Sequence, residues 1–139
     1  MPKVRSEMSP NNKWWISKHR FLELYHYCLQ YKEWKDEYES LDGKKSINYD
    51  GMPHGTNTGD PTYDLAVRRV ELKNKIQMVQ MTSHETDIAL QKYILEGVTN
   101  ENATFEYLYF KMGMPCSRNT YYERRKKFYW LLDKHLNKK

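Results

Sequence analysis

Apolar residues recur at steps of three and four along most of this chain, and no stretch alternates with period two for long enough to suggest a strand. The pattern predicts an all-α fold. Its first run covers about Ser17 to Ser40, with Phe21, Leu24, Tyr25, Cys28, Tyr31, Trp34, Tyr38 and Leu41 on one stripe. Ser17 suits an N-cap and Asp42-Gly43 a stop, which gives one helix about 35 Å long at 1.5 Å per residue. A stripe of this kind is core material, and one so long also offers a second subunit a face to pair with.

The segment from Asp42 to Thr62 breaks the period. It holds four of the six glycines and two of the five prolines, together with Asn, Asp and Ser. This is the chemistry of turns, and a loop so long within a domain is functional or a linker. His54, with Asp50 and Asp60 nearby, is its one candidate for metal or acid–base chemistry. A single histidine without a second at ligand spacing is poor support for either.

A second helix is predicted from Asp60-Pro61, Asp as N-cap and Pro at the first helical position. Leu65, Ala66, Val70, Leu72, Ile76, Val79 and Met81 carry its period. Thr82-x-x-Glu85 has the form of a capping box, so a new helix is expected there, running through Ile88, Ala89, Tyr93 and Ile94 to a stop at Gly97. His84 is expected at the surface. Thr104 then caps a helix to Met112, burying Phe105, Leu108 and Tyr109. Gly113 makes the turn, and Ser117 caps a last helix to about Leu136 whose inward residues are Tyr121, Phe128, Leu131 and Leu132. The expected organisation is an arm at 1–16, a long helix with its glycine-rich loop at 17–59, and a helical domain at 60–139 ending in a helix-turn-helix at 104–136.

Charge sharpens the picture at one end. The chain has 23 Lys and Arg against 18 Asp and Glu. Residues 117–139 hold eight of those cations and two of the acids, leaving fifteen and sixteen for the rest. A polyanion would be drawn to this end. Helix, glycine turn and helix is the plan in which the second helix enters the DNA major groove by its N-terminal residues. With Ser117 at the cap, Arg118, Asn119, Tyr122 and Lys126 project away from the predicted core side. Arg can fork onto guanine, Asn onto adenine, and Tyr can meet a phosphate or a thymine methyl. Arg124, Arg125 and Lys127 flank that face toward phosphates, and Thr120 completes the expected DNA-binding set.

Two stretches resemble the RinA/ArpU-type phage transcriptional regulators, which end in a sigma region-4-like helix-turn-helix. "GDPTYDLA" is similar to the family's lead into its central helix, and "FEYLYFKMGMPCSRNTYYERRKKFYWLL" to its terminal helix pair. The likeness covers roughly residues 45 to 136, and the turn "GMPCS" is one residue longer than the family's. The resemblance implies a phage or prophage regulator, an activator of late genes, with promoter DNA as target in a bacterial cytoplasm. A homodimer on double-stranded DNA is expected, with host RNA polymerase as a further partner.

Other classes fit less. Cys28 and Cys116 form no C-x-x-C pair, so neither a zinc site nor a disulfide framework is expected. No apolar run approaches 18 residues and the first residues lack a signal-like core, so no membrane partner is expected. No phosphate-loop, H-E-x-x-H or G-x-S-x-G motif occurs, so no catalytic, metal or cofactor site is predicted. The alternatives are a phage-encoded inhibitor or adaptor acting on host polymerase or a defence nuclease, anchored by Trp14 and Trp15, and a DNA-packaging protein like a terminase small subunit.

Overall fold

A computed structural model describes residues 12–41 and 61–137. The glycine-rich loop, including Asp50, His54 and the Asp60 cap, lies outside the described residues. So does the start of the arm. All regular structure among the described residues is helical.

The first stripe forms two helices rather than one, α1 (Lys18–Leu29) and α2 (Tyr31–Ser40). Ser17 caps α1 as expected, its hydroxyl accepting from the Arg20 N–H. Gln30 ends the first helix and begins the second, its N–H turned back to the Tyr27 carbonyl at 3.2 Å. The break has a packing reason. It lets one apolar stripe follow a curved core, α1 lying against the two last helices while α2 lies along the next one. Phe21, Leu24, Cys28, Tyr31 and Trp34 are buried and Tyr25, Tyr38 and Leu41 half-buried, so most of this stripe is core.

Helix α3 (Pro61–Thr86) is the longest. The expected boundary at Thr82 does not exist. Thr82 is buried, and its hydroxyl bonds back to the Met78 carbonyl at 2.7 Å; Ser83 and Thr86 do the same to Gln80 and Thr82. Hydroxyls that satisfy themselves on preceding carbonyls do not cap. The chain turns instead at Asp87, whose carboxylate accepts from the Leu90 N–H at 3.1 Å. Only part of the predicted stripe is inward. Leu72, Ile76 and Val79 are buried, whereas Leu65, Ala66, Val70 and Met81 are exposed.

Helix α4 (Gln91–Thr99) runs through Gly97 without stopping. That glycine marks a close crossing: a Cβ there would sit 2.0 Å from the Tyr121 hydroxyl oxygen. The next piece is wound as a π-helix over Tyr107–Lys111. Phe105 and Leu108 face inward as expected, but Tyr109 remains exposed. The last helix, α5 (Arg118–Leu136), is central and touches α1, α3 and α4. It buries Tyr121, Phe128, Tyr129 and Leu132. Leu131, expected inward, is half-buried, and Tyr129 takes that role, meeting Phe21 edge-on at 5.1 Å.

Three polar side-chain pairs tie α5 to the helices around it. Arg20 of α1 donates to Asp133 at 2.6 Å, Arg124 to Asp87 at 2.9 Å, and His135 lies 2.6 Å from Glu85. A fourth, two-pronged pair joins Glu37 and Arg68 between α2 and α3, at 2.7 and 2.8 Å.

Candidate nucleic-acid interface

The N-terminal end of α5 is built by local rules. Gly113 has φ +75°, the left-handed region that suits a residue without Cβ. Its neighbours close the turn, the Met114 N–H donating to the Leu108 carbonyl at 2.9 Å and the Met112 N–H to Tyr107 at 3.3 Å. Met114 is buried and pins this elbow to the core. Three residues later Ser117 takes an extended conformation, and its hydroxyl accepts from the Thr120 N–H at 3.2 Å. The helix therefore opens with Ser117, Arg118 and Asn119 in solvent. An open cleft lined by Tyr109, Gly113, Met114, Pro115 and Cys116 lies beside it.

The predicted contact residues divide by what they touch. Arg118 is exposed, paired with Glu106 across the elbow and lying over the Phe105 ring at 4.7 Å. That guanidinium holds the Glu106 carboxyl below its ordinary range. Asn119 is exposed, and Thr120 is half-buried with its hydroxyl on Ser117. Tyr122 is half-buried, edge-on to Tyr121 at 5.0 Å. Arg124 is turned inward to Asp87. Burial works to raise the Asp87 pKa, but Arg124 and the Leu90 and Ala89 N–H groups outweigh it and hold the carboxyl below its usual range.

Arg125 lies over the Tyr129 ring at 5.5 Å, among Tyr25, Tyr121 and Tyr122. It retains some solvent exposure although neighbours crowd it almost as they would a core group. Tyr121 feels the same crowding, and burial pushes its phenol up to about 12. Lys126 and Lys127 are half-exposed on the outer side of α5.

A group that the sequence pattern does not signal completes this outer side. Trp14 stands edge-on to Trp130 at 5.1 Å, with Lys13 and Lys127 over Trp14 at 4.9 and 5.7 Å and Lys134 over Trp130 at 4.8 Å. Lys127, Trp130 and Lys134 are spaced three and four apart and so share a face, but the approach of Trp14 across 116 positions has no local trace. Trp14 is thus partly packed, while Trp15 is 40% exposed. Lys126, Lys127 and Lys134 make no ion pair among the described residues, so the outer side of α5 is a cationic strip with two indoles set into it. Five of the predicted residues, Ser117, Arg118, Asn119, Lys126 and Lys127, meet solvent along the tip and this strip.

Other chemistries find little here. Among the described residues no three His, Cys, Asp or Glu side chains gather as a metal site, and no helix is long and apolar enough to cross a membrane. Cys28 is fully buried, and burial pushes its thiol far up, which makes it unreactive. The chain matches no family model, no curated protein and no solved structure.

Proposed function

We propose that this chain is a sequence-specific DNA-binding transcription regulator of phage or prophage type, reading the major groove with the first two turns of α5. The carrying observation is the tip of that helix: capped by Ser117, open to solvent, and leading into a lysine strip free of ion pairs among the described residues. The short helix, the Gly113 elbow and α5 supply the order of elements that a helix-turn-helix needs. Asn119 and Arg118 suit base edges, and Lys126, Lys127, Lys134 and Lys13 suit phosphates.

On this reading Arg118 exchanges Glu106 for a guanine edge, and the acid shields the cation until DNA arrives. Arg124 holds the helix to Asp87 rather than meeting phosphate. The Trp14–Trp130 pair lies within the strip, so insertion is confined to the polar tip that precedes it. A homodimer on a two-fold operator, contact with host polymerase and late-gene activation rest on the family resemblance. Selection of bound duplexes from a random pool tests the proposal. Recovery of a common motif repeated about a two-fold axis is expected; a pool that stays random would contradict it.

One observation favours a second reading. Tyr107, Tyr109 and Phe110 are 40%, 44% and 74% exposed beside the elbow, and clustered aromatics of this kind anchor protein partners. An inhibitor or adaptor would use them together with Trp15. A host protein retained on the chain after nuclease treatment, and lost on Phe110→Ser, would support that reading. A DNA-packaging role would use the same helix pair as the regulator.

A further inference from the structure

Helix α3 carries a second, largely apolar stripe that none of the described residues covers. Tyr63, Val67, Val70, Asn74, Gln77 and Met81 follow one another at steps of four, three, four, three and four, and all six are exposed. Tyr63, Val70 and Met81 are 64%, 57% and 59% exposed, while Leu72, Ile76 and Val79 on the opposite face are buried. Among the described residues, the body of the protein therefore lies behind the stripe and nothing covers its front.

We infer that this stripe is the seam of a parallel, in-register coiled-coil contact with a second copy of the chain. The spacing alternation is that of a heptad seam, with Val67, Asn74 and Met81 at one kind of position and Tyr63, Val70 and Gln77 at the other. Paired in register, each meets its counterpart, so the polar amides of Asn74 and Gln77 meet amides rather than hydrocarbon. A single Asn at such a position fixes register and two-strandedness at some cost in stability.

Charge chooses the direction. The antiparallel pairing that keeps all six positions in contact sets Glu71 near Glu71 and Lys73 near Lys73. In the parallel pairing Ala66 faces Glu71 and Lys73 faces Met78, so no like charges meet across the seam. The seam runs 19 residues, from Tyr63 to Met81, about 27 Å, and two such helices bury on the order of 1,200 Å² in total, near the lower bound of specific interfaces. A reversible dimer follows, with a dissociation constant of roughly micromolar order. The inference does not depend on what α5 binds, and its test contains no DNA.

Sedimentation equilibrium of the full chain from about 1 to about 200 µM is the experiment, a range that spans a micromolar midpoint. The wild type should pass from monomer to dimer. Val67→Glu with Val70→Glu should stay monomeric throughout, with the helical circular dichroism of the dilute wild type, since both side chains are outside the core. Asn74→Val should tighten association at least about tenfold. Tyr63→Cys with Cys116→Ser should form a disulfide-linked dimer on mild oxidation, because parallel pairing brings the two positions together. A wild type monomeric at the highest concentration would overturn the inference. So would a dimer indifferent to the paired glutamates, or one that persists without forming the Tyr63→Cys link.

Discussion

Gly97 is the residue on which the crossing of α4 and α5 depends. An alanine there is favoured by helix propensity by up to about 1 kcal/mol, but its methyl would collide with the Tyr121 hydroxyl at 2.0 Å. Overpacking wins, and Gly97→Ala should destabilise the protein by about 1–3 kcal/mol in chemical denaturation. Tyr121→Phe removes the offending oxygen and leaves the next neighbours, Tyr121 Cζ and Leu108 Cδ1, at 3.2 and 3.3 Å. In that background the same alanine should be close to neutral, and equal losses in both backgrounds would refute the contact. The periodicity read Gly97 as a helix stop, because the sequence does not reveal that a tyrosine 24 positions away needs the space. Ser17 and Ser117 were legible for the opposite reason, since a cap is settled by its own next three residues.

Among the helices the interactions that hold α5 are carboxylate-dependent, so stability at the scale of elements should depend on acid. Asp87 titrates lower in the folded chain than its ordinary 3.8. A depressed carboxyl contributes fully above its unfolded pKa, and the contribution fades as pH falls through the folded value. Asp87→Asn keeps an acceptor for the Leu90 N–H and removes only the charge facing Arg124. It should cost about 1 kcal/mol near neutrality, a few degrees in Tm, and the difference from wild type should shrink as pH falls below 3.8 and through the folded value. A gap of the same size at pH 7 and pH 3, measured by thermal melts, would show that the pair is unimportant. Helical type was legible among the described residues, and the boundaries inside the runs were not. Gln30 breaks the first stripe because the core curves, and Thr82 fails as a cap because it is buried. In α3, the apolar residues of two opposed faces read as one run, because the period alone joins Val70 and Met81 to Leu72 and Val79.

For the whole molecule, the excess of cations near the C-terminus is resolved into two populations. Arg118 and Arg124 hold acids and Arg125 lies among tyrosines, while Lys126, Lys127, Lys134 and Lys13 line the outer side of α5 around Trp14 and Trp130. The count of charges was plain in the sequence, but which of them stay available depends on partners more than a helix away, such as Asp87 and Trp14. About four available lysines imply that log K for duplex DNA falls with log salt at a slope near −3 to −4. The most direct test of the account is a set of anisotropy titrations on a selected and a random duplex, comparing wild type with Asn119→Ala and Lys126→Ala across salt concentrations. Lys126→Ala should weaken both duplexes alike and lower the slope by about one, whereas Asn119→Ala should lose about 1–3 kcal/mol on the selected duplex alone. Equal affinity for the two duplexes in the wild type, or discrimination untouched by Asn119→Ala, would contradict a reading role for the tip of α5.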